Sequence, residues 1–403
     1  MTTGESAGVQ VADLANPENK WSELVDRWPV LLGSAIGIGV GIMAFPKPVV
    51  GIFMRQWEAE FGWSRTEISI GPTILIVTLA VIAPVLGWIA DRVSARLLIT
   101  VSLIAMSAGM FLFSRMSGDL MVYYLGFASL AIAASGSATI VYAKVITATF
   151  KQNRGLALGL AMTGTGFSGI LLPLLMVPFA ASEGWRAGYV ALAVVIALAV
   201  PLVSLLIGPG ERRLAHPDGV STFQPIGPAV RERSFWTMAA CFALIPIAAS
   251  GLNLHLIALL SDMGMSPART GLIASVAGIS LAIARILTGY LIDRIFAPWV
   301  AAGMMALSAI AVALLGILGE PAAILGAVAI GLSLGAELDL VGYMTARYFG
   351  LERFGRIYGL LYSSILAGMS LSPIMYGYLF DHTGNYQFGL FAAAAVLALS
   401  ALL

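Results

Sequence analysis

Long apolar runs, one after another, constrain this chain more than any other feature of its sequence. A bilayer core about 30 Å thick needs roughly 20 apolar residues per helix. Runs of about that length recur from Trp28 onwards, separated by charged or Gly/Pro-rich breaks. We predict twelve membrane spans, at 28–53, 66–90, 96–115, 119–142, 155–181, 185–208, 234–261, 268–292, 298–319, 321–346, 354–380 and 386–403. The last run reaches Leu403 without a polar tail, so we expect that the chain is truncated there.

Composition agrees with an outer surface that meets lipid. Hydrophobic residues make up 59% of the chain and charged residues 11%, whereas soluble domains carry about 25% charged residues. The net charge of +1 argues against a nucleic-acid partner. Cys241 is the single cysteine and the three histidines are scattered, so we predict neither disulfides nor a metal cluster, and no cofactor. The first 27 residues are polar and acidic and lack the apolar core of a signal peptide.

An internal repeat divides the chain into two matching parts. Gly62 and Ser64 recur as Gly264 and Ser266, 202 residues later. The same offset relates a larger set: Gly87, Asp91 and Arg92 to Gly289, Asp293 and Arg294, and Arg154 to Arg356. Such matches in register indicate a duplication of six spans. We therefore predict an all-α membrane protein built from two pseudo-symmetric six-helix bundles.

The long polar stretch 209–233 lies at the midpoint of this duplication and is rich in Pro, Gly and charge, as linkers are. The expected organisation is a tail (1–27), a first bundle (28–208), a linker (209–233) and a second bundle (234–403). Fourteen Lys and Arg residues fall on the side of the termini and the linker, against five on the other side. The positive-inside rule then places both termini in the cytoplasm and the protein in the plasma, or inner, membrane.

The duplication and its motifs resemble the major facilitator superfamily of secondary transporters. The Gly-x-x-x-Asp-Arg motif follows the second span in GWIADRVSAR (87–96) and recurs after the eighth in GYLIDR. In that superfamily these residues clamp neighbouring helix ends, so the resemblance implies gating roles rather than substrate contacts. The implied gating residues are Gly87, Asp91, Arg92, Asp293, Arg294, Arg154 and Arg356.

Two further segments resemble one branch, the monocarboxylate porters. They are AFPKPVVGIFMRQWEAEFGWSRTEIS (44–69), with Lys47 in its Phe-Pro-Lys position, and TFKQNRGLALGLAMTGTGFSG (149–169). FGRIYG (354–359) and DHTGNY (381–386) fit the same branch. In the animal porters an acidic residue stands one turn before the arginine of the eighth span and helps to carry a proton. Leu281 holds that place before Arg285 here, so another group must take any proton.

Ionisable residues inside predicted spans are the candidate site, because each needs a partner, a cavity or a purpose. Arg285 lies near the middle of the eighth span, and its planar fork matches a carboxylate; a structural salt bridge is the alternative. Lys47 sits between two prolines in the first span and can attract an anion or exchange a proton; its alternative is to extend to the interface.

The remaining candidates are weaker. Glu337 and Asp339 are two residues apart and so on different helical faces; one can carry a proton, with charge compensation as the alternative. His255 and nearby Asn253 in the seventh span are candidate substrate ligands, as is Tyr142 at the end of the fourth. A buried hydrogen-bonding or packing role is the alternative for these. We expect Lys144 to extend into the cytoplasm.

The sequence thus predicts a transporter of small monocarboxylate anions such as lactate or pyruvate, working with a proton by alternating access and functional as a monomer. Substrate would bind near the bilayer midplane between the two bundles. An anion exchanger of the oxalate–formate type, or a carrier of larger aromatic carboxylates, stays open. A membrane enzyme is disfavoured because no nucleophile–base pair or metal cluster is evident. A flux-free sensor is disfavoured because the linker is too short for a signalling domain.

Overall fold

The chain forms a bundle of helices, and the prediction of an all-α protein is confirmed. The computed structural model describes residues 23–150, 154–208, 230–292, 294–350 and 354–403, and over these ranges it contains no β-strand. The α-helices are α1 (Trp28–Gly39), α2 (Pro46–Phe61), α3 (Arg65–Arg92), α4 (Ala95–Phe113), α5 (Leu120–Ala133), α6 (Thr139–Thr149), α7 (Arg154–Ile207), α8 (Arg233–Asp262), α9 (Pro267–Ile292), α10 (Ala297–Leu318), α11 (Ala323–Phe349), α12 (Phe354–Thr383) and α13 (Gln387–Leu402).

These helices account for the twelve predicted spans once three features are included. Within the described ranges, eight helices are long and apolar enough to cross a membrane. One of them, α7, contains two spans, because Gly184 adopts φ 82° and ψ 164° and breaks the helix. The first span is divided into α1 and α2, and the fourth into α5 and α6 around the 3₁₀ turn Ser135–Ser137. The short apolar helix α13 forms the last span.

Two predicted span ends fall short of the observed helices. The first span was expected to end at residue 53, before a run of charges, but α2 continues to Phe61. The polar residues of this last part have partners: Glu60, for example, accepts a 2.6 Å bond from Trp185 Nε1. The fourth span was expected to end at 142, but α6 continues to Thr149. There the Lys144 ammonium donates to Ala90 O of α3 at 2.5 Å, so this charge does not end the helix.

The sequence repeat is also visible in the local geometry. Gly62 and Gly264 both have positive φ, 69° and 84°, which glycine adopts without a steric penalty. Ser64 caps α3 by accepting a bond from Glu67 N. Ser266 Oγ likewise accepts from the backbone N–H three residues later, at 3.4 Å. Repeated residues therefore start α3 and α9 in the same way.

We call α1–α7 the first half and α8–α13 the second half. The halves meet where α7 packs on α9, α3 on α12 and α2 on α8. Near the middle of the α7–α9 contact a Cβ placed on Gly278 would lie 2.6 Å from the carbonyl carbon of Gly169, so the two backbones touch. We name the two ends of the bundle by their residues: the Arg65 end, where α2 meets α3, and the Arg92 end, where α3 meets α4.

Candidate functional site

Lys47 lies where the two halves meet and bonds across the boundary. Pro46 and Pro48 open α2, where a missing N–H donor does no harm. This places Lys47 in the first helical turn, next to the interruption of the first span. Its Nζ donates to Ser250 Oγ of α8. The lysine thus joins the halves at the level of the candidate site.

A cavity beside Lys47 has one charged wall and a largely apolar remainder. Lys47 and Asn253 provide its polar side chains. Leu281 and Leu334, on α9 and α11, form part of the apolar wall. Two residues that the sequence predicts to bind substrate, Lys47 and Asn253, therefore line the same cavity. Arg285, Tyr142 and His255 are not among its lining residues.

Three predicted site residues hold buried polar atoms that lack a hydrogen-bond partner in the described part of the chain. They are Arg285 Nε on α9, Glu337 Oε1 on α11 and Tyr142 Oη on α6. Glu337 is 2% exposed, and its charge interacts with that of Lys47. Leaving such groups unpaired costs about 1–3 kcal/mol each, and more for a charge. An anion that accepts from Arg285 Nε or Tyr142 Oη, or a proton that binds Glu337 Oε1, would recover that free energy.

Tyr142 is held in place by a close approach to the first span. A Cβ on Gly37 of α1 would lie 2.2 Å from Tyr142 Oη, so only glycine leaves room for the phenol there. The unpartnered hydroxyl can donate a hydrogen bond to a carboxylate.

A pair of tyrosines beside Glu337 was not predicted from the sequence. Tyr358 and Tyr362 of α12 stack with centroids 5.9 Å apart, and Tyr362 interacts electrostatically with Glu337. Their spacing of four residues places both on one helical face, and this is the signal that could have identified them. Ser250 was also missed, although it stands three residues before Asn253 in the same helix.

His255 does not line the cavity and belongs to a polar cluster towards the Arg65 end. Its ring is fully buried and contacts Ser69 Oγ at 3.0 Å, Tyr386 Oη at 2.8 Å and Pro373 O at 3.1 Å. The sequence grouped it with Asn253 as a substrate ligand, but the structure gives the two residues different surroundings. Its hydrogen bonds are those of a residue that joins helices.

Among the predicted gating residues of the Arg92 end whose side chains are described, Arg92 and Arg294 bond within their own helices. Arg92 folds back over Trp88, 3.9 Å from the ring, and Arg294 folds over Tyr290 at 3.7 Å. Each donates to the backbone carbonyl of that aromatic residue. A Cβ on Gly87 would meet no atom within 4 Å. Asp293 and the side chains of Asp91, Arg154, Asp339 and Arg356 lie outside the part of the chain that the structure describes.

Comparison with known proteins identifies relatives over nearly the whole length. The profile of the Major Facilitator Superfamily matches residues 36–338 and, in a second match, 256–403. The chain is 28% identical over 340 residues to an uncharacterised 38 kDa protein of Thermoproteus tenax, covering 83% of this chain and 84% of that one. It is 28% identical over 407 residues to monocarboxylate transporter 13 of Rattus norvegicus, covering 94% of this chain and 87% of the transporter.

A similar fold occurs among solved structures. A bacterial homologue of the human lysosomal transporter Spinster, in an inward-facing and occupied conformation, superposes with a TM-score of 0.72 and covers 96% of both chains. The sequence identity is 14%, so this likeness concerns the fold alone. It confirms the prediction of twelve spans in two six-helix bundles.

Proposed function

The chain belongs to the Major Facilitator Superfamily of membrane transporters and is not an enzyme, and from that premise we propose that it carries small monocarboxylate anions together with a proton. The observation that carries the proposal is the set of buried, unpartnered polar atoms of Arg285, Glu337 and Tyr142 inside the membrane spans. The names of its relatives, monocarboxylate transporters 11 and 13, support the substrate class.

Arg285 and Lys47 are the proposed anion ligands. A guanidinium can bind both oxygens of one carboxylate, and it stays charged at any relevant pH. Lys47 is held by Ser250, a neutral partner that a carboxylate can replace. Tyr142 adds a neutral donor, and Asn253 an amide on the cavity wall. The apolar wall around Leu281 would accept the body of the substrate.

Glu337 is the proposed proton carrier, with Asp339 beside it in the sequence. Leu281 occupies the place of the acidic residue of animal porters, and Glu337 is a buried carboxyl group whose charge interacts with Lys47. When an anion takes Lys47, Glu337 loses its compensating charge. A proton on Glu337 then keeps the charge of the closed site unchanged. This matters because closing the halves around an uncompensated charge is costly.

Transport would proceed by alternating access between the bundles 28–208 and 234–403, with binding near the midplane. The Lys and Arg distribution supports placing the Arg92 end, both termini and the linker 209–233 in the cytoplasm, and the chain in the inner membrane. The gating residues of the Arg92 end would then join the halves when the cytoplasmic side closes. The repeated geometry of Arg92 and Arg294 supports this assignment. We propose that one chain is the working unit.

Uptake into proteoliposomes tests this function. Lactate, pyruvate, benzoate and oxalate are supplied with and without an inward-directed proton gradient. We expect gradient-driven uptake of a monocarboxylate, reduced by about 10- to 150-fold in Arg285→Ala, the factor for losing roughly 1.5–3 kcal/mol of charged hydrogen bonding. Arg269→Ala is the matched control, because Arg269 lies on the same helix and pairs with Glu320 at the exposed surface. This control should transport as the unchanged protein does.

Glu337→Gln tests the proton carrier separately. The variant should still exchange labelled for unlabelled anion, but the gradient should no longer drive net uptake. Gradient-independent uptake that requires internal anion in the unchanged protein would identify an exchanger instead. Preference for benzoate would indicate the larger aromatic acids. Absence of flux for every acid would overturn the carboxylate assignment.

A further inference from the structure

Among the described residues, the densest group of polar contacts between the two halves lies at the Arg65 end, outside the candidate substrate site. We call Glu58, Arg65, Ser69, His255, Asp262, Asp381 and Tyr386 the Arg65 cluster. Glu58, Arg65 and Ser69 belong to the first half and the other members to the second. Every bond between these two groups must break if the halves separate at this end.

Arg65 is the centre of the cluster. Its side chain is only 2% exposed, and its Nη1 donates to Asp262 Oδ2 at 2.6 Å and to Tyr386 Oη at 2.7 Å, both across the boundary. Its Nη2 pairs with Glu58 within the first half at 3.1 Å. The guanidinium also lies 3.6 Å from the centroid of the Phe380 ring, a cation–π contact. One side chain thus makes three contacts with the other half.

Asp381 closes the same end by capping a helix of the other half. Its carboxylate accepts from the backbone N–H groups of Arg65 at 3.0 Å and Thr66 at 2.9 Å. These are among the first N–H groups of α3, which have no partner within their own helix. A carboxylate is favoured there by the helix dipole as well. The cap exists only while α12 is packed against α3.

His255 extends the cluster towards the interior. Pro373 O can only accept, so His255 Nε2 carries the hydrogen that faces it at 3.1 Å, and Nδ1 accepts from Tyr386 Oη. Tyr386 in turn accepts from Arg65. Ser69 donates to Arg65 O at 2.7 Å, so its oxygen accepts from the same Nε2–H, which Ser69 Oγ and Pro373 O share. The chain of bonds is complete only when both halves contribute.

The same helix that carries His255 and Asp262 also binds the candidate substrate lysine. Ser250, His255 and Asp262 follow one another along α8, and Ser250 accepts from Lys47. Helix α8 therefore contacts the first half both at the candidate site and at the closed end. At the Arg92 end, by contrast, Arg92 and Arg294 bond to their own helices.

We infer that the Arg65 cluster is the gate of the Arg65 end: it holds the halves together there while the Arg92 end is open, and it must come apart for the substrate to enter or leave on that side. The inference rests on the alternating access of the proposed function but not on its substrate. Arg65 acts as a positioning residue, since it sets the relation of the halves and does not line the cavity.

Distance measurements between spin labels test the gate. Met121→Cys and Gln387→Cys place labels on exposed residues of the first and second half at this end, in a Cys241→Ala background. In reconstituted protein, Arg65→Ala should raise the population with a longer distance at least tenfold. Asp262→Asn and Tyr386→Phe, which each remove one of its partners, should raise it less. If Arg65→Ala does not fold, the distances in Asp262→Asn and Tyr386→Phe decide whether the Arg65 cluster is the gate.

Arg186→Ala is the matched control. Arg186 also lies at this end and forms a 2.6 Å ion pair, but its partner Glu60 belongs to the same half. The distances should therefore stay as in the unchanged protein. Unaltered distances in the Arg65, Asp262 and Tyr386 variants would overturn the gate, and so would equal opening in Arg186→Ala. The readout is conformation, so a failure of carboxylate uptake leaves this test unaffected.

Discussion

The two ends of the molecule hold the halves in different ways. At the Arg65 end two arginines, two aspartates and a histidine bond from one half to the other across the boundary. At the Arg92 end the repeated arginines Arg92 and Arg294 lie over aromatic rings of their own helices. On the gate inferred above, this difference reflects that the Arg65 end is closed and the Arg92 end is open.

Buried ion pairs and apolar packing have different roles in holding this molecule together. Buried ion pairs add little net stability, because desolvation opposes their attraction, but they specify one geometry. Apolar and aromatic packing within a half provides the folding free energy itself. Around the Arg65 end the first half contains such packing, in which Trp57 lies against rings that include Trp63, Tyr123 and Trp185. The polar cluster should therefore control conformation, and the aromatic packing should control stability.

Replacement of Trp57 gives the largest expected effect. Trp57 is fully buried, and Trp57→Ala should cost about 3–5 kcal/mol of unfolding free energy, as for other buried aromatic residues. Trp299, at the start of α10 near the Arg92 end, is 73% exposed, and Trp299→Ala should change the free energy by less than about 0.5 kcal/mol. Thermal unfolding in detergent, followed by circular dichroism, measures both. Equal losses of unfolding free energy in the two variants would contradict the conclusion that the aromatic packing around Trp57 controls stability.

Substitution of two glycines on α12 gives the second largest expected effect on stability. A Cβ on Gly377 would lie 2.7 Å from the backbone of Arg65, whereas a Cβ on Gly359, nearer the Arg92 end, would meet no atom within 4 Å. Gly377→Ala should therefore cost about 1–3 kcal/mol in the closed geometry. Gly359→Ala should be neutral or stabilising by up to about 1 kcal/mol, because alanine favours the helix.

The same label distances that test the gate also measure the glycine variants. Gly377→Ala should increase the open population at the Arg65 end, because the conflict disappears when α12 moves away from α3. Gly359→Ala should leave it unchanged. An open population that rises equally in both variants would mean that the contact at Gly377 does not hold this end.

Much of this architecture can be predicted from the sequence because it depends on local patterns. The apolar runs predict the number of spans. The 202-residue offset predicts an internal repeat, and Gly62 and Gly264, which it relates, have similar backbone conformations. Lys47 and Glu337 were found because a charge inside an apolar run is conspicuous. Pro46 and Pro48 indicated a break of helical bonding in the first span, whereas the interruption of the fourth span at Ser135–Ser137 was not predicted, since the apolar pattern continues around it.

The Arg65 cluster could not be predicted in the same way. Arg65 and Asp262 are 197 residues apart in sequence. From the sequence alone, each is a charged residue at the end of a span, where charges are common. Only the packing of α3 on α12 and α2 on α8 brings their charges into one buried group. His255 was predicted as a candidate substrate ligand because it is an ionisable residue inside a span and titrates near neutral pH. In the structure its bonds run to Ser69 and Tyr386. Sequence position alone does not show to which neighbour a helix turns its polar face.

Helix caps at the two ends give the smallest effect. Ser64 and Glu67 cap α3 reciprocally: Ser64 Oγ accepts from Glu67 N at 3.2 Å, and Glu67 Oε2 accepts from Ser64 N at 2.8 Å. Ser94 caps α4 at the Arg92 end through a single bond, from Leu97 N at 3.3 Å. Ser64→Ala should cost about 1 kcal/mol and Ser94→Ala about half as much. Thermal unfolding measures the difference, and because Ser64 fixes the helix start that Asp381 caps, Ser64→Ala alone should also raise the open population. If Ser94→Ala raised it equally, the start of α3 would have no special part in closing the Arg65 end.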